Sequence, residues 1–562
     1  MTWSQTYDPL HSPFISTLVA LLPVVLLLVL LASHRVRAHW AALAGLAMSL
    51  AVAVLAIGMP AGMAARAALL GGAYGLFPIG WILINVLFLY QLTVDTGGFA
   101  VLQRSIAHVT DDRRLQLVLI AFCFGAFFEG AAGFGTPVAV TAALLIGLGF
   151  APLQASAMAL IANTAPVAFG ALGTPLIALQ GVTGLDLREL SAMVGRQLPV
   201  FSLIVPFWLV AAYAGIRRML EVWPALAVAG VTFAVPQYLI ATYHGPWLVD
   251  VVSAVISMGA LALFLRVWRV PAGREMREHR HIGGGTEVAG SREGGAVSAT
   301  SFETGQTPAT ADPSPTRRAV TRAWMPWALL SVVVFAWGTP QVKAALNTVS
   351  APKFPIAGLH QQVLRVPPVV SAAKPEAAEF VFNWLSASGS GIAIAALIAA
   401  VLMGCSARTM ARTYASTLRR IIPSLVTISA MLALGYVTRY SGTDSILGLA
   451  FAHTGVLYPF FGTMLGWLGV ALTGSDTSSN VLFGGLQVVT AQQVGVSPVL
   501  MAAANSSGGV MGKMIDAQSI VVAGTATRAY GQEGRILRFV FWHSLALASL
   551  VGVWVMLQAY VF

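Results

Sequence analysis

Charge is scarce in this chain. Only 9% of its 562 residues are Asp, Glu, Lys or Arg, while 57% are hydrophobic; soluble domains carry about 25% charged residues. A chain this long has too little polar surface to cover itself in water, which excludes a soluble globular protein and leaves the bilayer as the fitting solvent. Cysteine is scarcer still. Cys123 and Cys405 sit in apolar runs, so there is no disulfide framework, and both read as small buried hydrophobes. No phosphate loop, metalloprotease helix motif or nucleophile elbow is present, so ATP is not the expected energy source. Ser371-Ala372-Ala373-Lys374 fits S-x-x-K without its companion motifs, and Asn505-Ser506-Ser507 fits a glycosylation sequon inside apolar sequence. No enzyme activity, metal or other cofactor is expected.

What charge there is lies in one pattern. The net charge is +11, but the basic residues fall at the ends of apolar runs: Arg35 and Arg37, Arg113 and Arg114, Arg217 and Arg218, Arg317, Arg318 and Arg322, Arg408 to Arg420, and Arg528 to Arg538. This is the positive-inside pattern of a multi-pass membrane protein. It lacks the basic stripe with interleaved aromatics that would stack bases, so no nucleic-acid partner is expected. No Lys or Arg precedes the first apolar run, so 13–32 reads as a retained span and not a cleaved signal. The basic cluster after it puts that loop in the cytoplasm and the N-terminus outside; the last span, 537–561, ends outside as well.

The chain divides into three parts: a membrane half over 1–268, a polar linker over 269–320, and a second membrane half over 321–562. The linker is rich in Arg, Glu, Gly, Ser, Thr and Pro. It cannot bury a core and reads as a disordered cytoplasmic segment. The expected fold is all-α, with about twelve to fourteen transmembrane helices in two structural repeats, each with interrupted helices or re-entrant hairpins.

The two halves echo each other. In the first, Glu129-Gly130-Ala131-Ala132-Gly133-Phe134-Gly135-Thr136-Pro137 precedes an apolar run that ends at Gly149-Phe150-Ala151-Pro152, and a second run carries Asn163-Thr164-Ala165-Pro166. In the second, Thr473-Gly474-Ser475-Asp476-Thr477-Ser478-Ser479-Asn480 precedes a run that ends at Gly495-Val496-Ser497-Pro498, followed by Asn505-Ser506-Ser507-Gly508-Gly509. Paired interrupted helices in corresponding halves are the sequence mark of a secondary transporter's site. Loose boundaries leave parallel or inverted repeats open.

Broken helices expose backbone polar groups, tolerated only inside protein or against a water-filled cavity. Half-helix N-termini attract anions, hydroxyls and amides supply donors, and glycine admits a ligand to the backbone. Gly133, Gly135, Thr136, Asn163, Thr164, Gly474, Ser475, Thr477, Ser478, Asn505 and Ser506 therefore form a candidate small-anion site. The plainer reading of any single hydroxyl is a helix–helix hydrogen bond. Glu129 and Asp476 are acidic residues in apolar sequence, where such groups are costly and usually functional. Burial disfavours the charged form of a carboxyl, so each is a candidate proton carrier; an ion pair or helix cap is the alternative. Lys513 can face a substrate carboxylate or Asp476, or snorkel outward. Arg196, Arg439, Asp444 and His453, near span ends, read as interfacial anchors. Gly71 with Gly75, Gly462 with Gly466 and Gly508 with Gly512 read as close helix packing.

The stretch 124–139 closely resembles the signature of bacterial lactate permeases, as do Asn163 to Gly170, Gly195-Arg196-Gln197-Leu198-Pro199 and Gly474 to Asn480. Tyr7-Asp8-Pro9 and Leu557 to Val561 are similar too, so the resemblance runs from end to end. It implies a multi-pass protein of the bacterial plasma (inner) membrane that imports L-lactate, D-lactate or glycolate by proton symport, with a small 2-hydroxymonocarboxylate anion, protons and lipid as its partners. Glu129, Asn163, Asp476, Asn505 and Lys513 stand in matching motifs and carry over; Arg439 and Asp444 do not, and the linker is unlike the family in sequence and length. Three other readings stand beside it: sodium coupling, since hydroxyls and free carbonyls also coordinate Na⁺; a membrane-embedded enzyme; and a lactate sensor, for which the linker is too short and polar to form an output domain.

Overall fold

The computed structural model describes residues 2–32, 36–107, 109–131, 133, 136–268, 316–370, 372–529 and 532–562. Residues 269–315, which hold nearly all of the expected linker, lie outside the described residues, as does Gly135. Long apolar runs with few charges form helices because in hydrocarbon each backbone N–H and C=O must be satisfied within its own segment. Among the described residues nine helices are long and apolar enough to cross a bilayer, eleven if two bent pairs count as spans. Shorter apolar helices, including Pro13–Leu27 and Ser388–Leu402, accompany them.

Contacts between distant segments give the molecule two faces. On one, Arg113 donates to the carbonyl of Gly149 (3.4 Å), Arg114 to Arg218 (2.9 Å), Arg322 to Met403 (3.0 Å), and Thr413 to the Asp95 carboxylate (2.9 Å). This face gathers several of the arginine clusters found at the ends of apolar runs. On the other, Gln5 donates to the carbonyl of Arg439 (2.9 Å), Gln493 to Pro368 (3.0 Å) and Gln558 to Arg196 (3.4 Å). Both termini therefore share the face opposite the arginines.

The echoed motifs are two hairpins that enter from opposite faces. The first rises from the arginine face as a continuous helical arm, Arg113–Ala131, and returns as Thr136–Gly147. Twelve residues span only about 18 Å at 1.5 Å each, short of the ~30 Å hydrocarbon thickness. The second is Tyr458–Thr473 and Asp476–Val494. Its arms are bound near the opposite face, where the Tyr458 hydroxyl donates to Gln487 (2.5 Å) and the Gln487 amide to Gly462 O (2.7 Å). Each hairpin is followed by a broken helix. Pro152–Ala162 and Val167–Thr183 meet at 64°, and Pro498–Gly512 is followed by Ala517–Ala526. The repeats are thus inverted, which the sequence left open.

One break lies elsewhere than the motif predicts. Asn505 to Gly509 stays helical within Pro498–Gly512, and the chain opens at 513–516. The small residues there are packing surfaces: a Cβ at Gly508 would collide with the carbonyl of Thr463, and one at Gly466 with that of Asn505. The anchor reading of Arg439 and Asp444 also fails. Arg439 Nη2 pairs with Glu376 Oε2 (3.1 Å), whose other oxygen pairs with Arg365 (2.6 Å), and Asp444 is buried with Ser445 N–H on its carboxylate (2.8 Å). The partner of Arg439 comes from a loop far off in sequence. That loop pairs strand Val363–Arg365 in parallel with Trp3–Ser4 and antiparallel with Lys374–Pro375, and Lys353–Pro355 with Glu379–Val381. Arg439 also donates to the carbonyls of Gly181 and Val182 (both 3.3 Å), which ties this cap to the end of the first broken helix.

Candidate functional site

The two hairpin tips and two broken helices meet around a cavity of about 150 Å³, far above the ~10–15 Å³ that admits one water. Glu129 and Gly133 come from the first tip, Ala171, Thr174 and Pro175 from the first broken helix, and Thr473 to Ser478 from the second tip. Lys513, Gln518 and Ser519 come from the second broken helix, and Ser424 and Thr427 from the long helix Ala407–Ser441. Asn480 Nδ2 donates to Pro175 O (3.3 Å) and joins the two repeats directly.

Local sequence sets each wall. Gly133 adopts φ +58° and Gly474 φ +72°, the left-handed backbone that glycine enters without steric cost. Ser475 caps its helix by accepting from Ser478 N–H (3.3 Å), and Asp516 caps Ala517–Ala526 by accepting from Ser519 N–H (2.8 Å). Helix N-termini leave N–H groups without intrahelical acceptors and carry partial positive charge. Those of Asp476–Val494 and Ala517–Ala526 border the cavity. In the first broken helix Ala171 and Leu172 have φ of +44° and +55°. Such backbone costs about 1–3 kcal/mol per residue and persists only where packing enforces it; here Ala171 packs on Gly133.

The acidic residues sit in matching nests. A Cβ on Gly170 would stand 2.6 Å from Glu129 Oε1, and a Cβ on Gly509 would clash with Asp476 Oδ1. Asp476 Oδ2 accepts a 2.5 Å bond from Ser506 and a 3.2 Å bond from Asn480. Among the described residues Glu129 Oε2 and Asp476 Oδ1 have no hydrogen-bond partner. Lys513 does not snorkel. It is 7% exposed, donates to Gly474 O (2.6 Å) and pairs with Asp516 (3.1 Å).

Of the residues singled out in the sequence, Glu129, Gly133, Gly474, Ser475, Asp476, Thr477, Ser478 and Lys513 line the cavity. Thr136 opens the returning arm of the first hairpin. Four stand behind the wall. Asn505 bonds to Asn480 Oδ1 (2.9 Å) and accepts from Gln487 (3.1 Å), so it serves as a strut. Ser506 holds Asp476, and Thr164 bonds back to Ile161 O (2.8 Å). Asn163 ends the helix Pro152–Ala162 with its amide beside the Glu129 carboxyl. Sequence reasoning missed Gly170, the second-break residues Gln518 and Ser519, and Asp250. Gly170 closes the very motif that begins at Asn163, and Asp250 is an acid inside an apolar run, the same signal that marked Glu129.

The L-lactate permease family pattern matches residues 16–562. The chain belongs to that family. It is 46% identical over 567 residues to the glycolate permease of Escherichia coli (strain K12), covering 100% of this chain and 99% of that one. It is 44% identical over 564 residues to the L-lactate permease of the same organism (100% and 98% covered). To the L-lactate permease of Bacillus subtilis (strain 168) it is 43% identical over 582 residues (100% and 99%). Among solved structures, the efflux pump MtrF of Neisseria gonorrhoeae aligns at TM-score 0.43 and 14% identity over 87% of this chain and 83% of that one. The chain is thus a multi-pass membrane permease with inverted hairpins around a polar cavity.

Proposed function

We propose that this permease imports small 2-hydroxymonocarboxylates, L-lactate, D-lactate or glycolate, by proton symport across the bacterial plasma membrane, with both termini outside. The observation that carries the reading is the charge balance of the cavity. Helix N-termini offer N–H donors suited to a carboxylate, and Ser475, Thr477, Ser478 and Thr174 offer hydroxyls for the 2-hydroxyl. Yet Glu129 and Asp476 line the same space, with Asp516 beside it and Lys513 as the one cation among these four. Lys513 is already paired with Asp516. An anion entering beside ionised Glu129 and Asp476 is repelled, and protonating them removes the repulsion. Proton binding and substrate binding therefore favour each other, and by linkage each strengthens the other equally. The protein acts as a carrier, with no bond made or broken in the substrate. One carbon and one stereocentre separate the three acids, worth about 1–3 kcal/mol per methylene in a pocket, so overlapping specificity is the expectation.

The test is uptake of labelled glycolate, L-lactate and D-lactate into proteoliposomes under an imposed pH gradient or an imposed sodium gradient. The reading expects accumulation driven by the pH gradient without sodium. Accumulation driven by sodium alone, or by neither, contradicts proton coupling.

A further inference from the structure

Asp250 opens the membrane helix Val249–Val267 and is 1% exposed. Neither of its carboxylate oxygens has a hydrogen-bond partner among the described residues. Its backbone lies against the first hairpin arm. A Cβ on Gly130 would come 2.7 Å from Asp250 Cβ and 3.0 Å from the Val251 nitrogen. Gly130 is the residue after Glu129, and Glu129 is the charged group in electrostatic reach of Asp250. Ser253, one turn along the same helix, is also fully buried, and its hydroxyl has no hydrogen-bond partner among the described residues.

A carboxyl buried without a cation or donor is far too costly to hold as a bare anion. With Glu129 one residue from the Gly130 contact, an ionised Glu129 makes a second negative charge at Asp250 costlier still. The other groups packed nearby fit this. The helix Trp223–Tyr243 carries no Lys or Arg, Cys123 of the hairpin arm bonds to Ser257, two turns on from Asp250, and Lys343 stands over the Trp247 ring (5.2 Å), ahead of Asp250's helix. Lys513 and Asp516 face Glu129 from the cavity side. Toward the face that carries the termini, His244 caps the helix Trp223–Tyr243 and begins the connection into Asp250's helix. Its Nε2 meets Phe335 O (3.0 Å) and its Nδ1 has no partner among the described residues.

We propose that Asp250 is a third proton-holding carboxyl, beside Glu129 and Asp476, that relays protons to Glu129 along a route separate from the substrate path. The inference rests on the proton-symport reading above. In the relay the Asp250 O–H bond breaks and a Glu129 O–H bond forms, directly or through one bridging water. Asp250 is left as the carboxylate and regains a proton from the aqueous phase on the His244 side. Asp250 touches no substrate; it acts through Glu129 as a positioning and supply group, and the notch at Gly130 is what brings the two helices close enough.

The test compares wild type, Asp250→Asn and Asp250→Glu in proteoliposomes by two readouts: pH-gradient-driven accumulation of labelled lactate, and gradient-free exchange of labelled for unlabelled lactate. Asp250→Asn should cut accumulation about tenfold or more with a much smaller effect on exchange, and Asp250→Glu should restore part of the accumulation. Equal accumulation in wild type and Asp250→Asn overturns the relay. A parallel loss of exchange and accumulation in both variants overturns it too and assigns Asp250 a structural role. A wild type indifferent to the pH gradient overturns the symport reading itself, and the relay with it.

Discussion

Gly170 leaves the space that the carboxyl of Glu129 fills: a Cβ there would stand 2.6 Å from Oε1. The two residues come from different elements, the first hairpin arm and the second half of the first broken helix. Gly170→Ala therefore pushes the carboxyl away from the cavity without changing any charge. Overpacking of this kind costs about 1–3 kcal/mol, so uptake should fall roughly tenfold or more while the purified protein stays folded and monodisperse. Kinetic measurement of uptake at saturating substrate checks it; an unchanged rate would mean that the nest at Gly170 is not needed.

The second acidic residue is held differently. Ser506 donates a 2.5 Å bond to Asp476 Oδ2 from a helix that the sequence motif suggested would break. Hydrogen bonds to charged groups are worth about 1.5–3 kcal/mol, and this one favours the ionised carboxylate. Ser506→Ala should make Asp476 easier to protonate, so the pH at which uptake is half-maximal should move upward. A pH profile of uptake that stays superimposable on that of the wild type would show that Asp476 does not titrate during transport.

Lys513 joins the second hairpin tip to the second break through Gly474 O and Asp516. Removing one member of a buried pair leaves an uncompensated charge and costs about 3–5 kcal/mol. Lys513→Met should lower the thermal midpoint clearly, and adding Asp516→Asn should recover much of that loss, since both charges are then gone. Uptake should stay low in the double variant because the tip has lost its tie. Additive destabilisation of the two substitutions would argue that they do not act as a pair.

On the opposite face Glu376 bridges Arg365 and Arg439. Glu376→Gln leaves two guanidinium groups without their shared anion and should loosen the strand-bearing cap from the end of the first broken helix. Limited proteolysis of the segment 351–387 should become faster than in the wild type. An unchanged cleavage rate would show that the cap is held instead by other contacts, such as the Tyr440 hydroxyl donating to Ala377 O (2.6 Å).

Much of this architecture was legible because it obeys simple rules. Apolar runs named the helices, the arginine clusters named one face, and the repeated order of polar break and Gly-x-x-Pro turn named both hairpins. What was not legible depends on contacts between distant segments. Asn505 to Gly509 reads as a break, since glycine and serine are poor helix formers, but tertiary packing on Thr463 and Gly466 keeps it helical. Arg439 reads as an anchor because its partner Glu376 lies 63 residues away. The direction of each hairpin became visible only through ties such as Arg113 to Gly149 and Gln493 to Pro368. The hairpin-tip residues of the cavity and Lys513 were legible, while the wall from 167–175, the long helix Ala407–Ser441 and the second break was not; Asp250 was hidden only by its place at the start of an otherwise ordinary span.

Glu129 offers the most direct test of proton-linked anion transport through this cavity. Wild type and Glu129→Gln are reconstituted side by side, and labelled lactate is followed under an inward proton gradient and again after the gradient is collapsed. The account predicts that wild type accumulates lactate above the equilibrium level and releases it on collapse, while Glu129→Gln takes lactate only to equilibrium. Gradient-driven accumulation by Glu129→Gln at the wild-type level would contradict it.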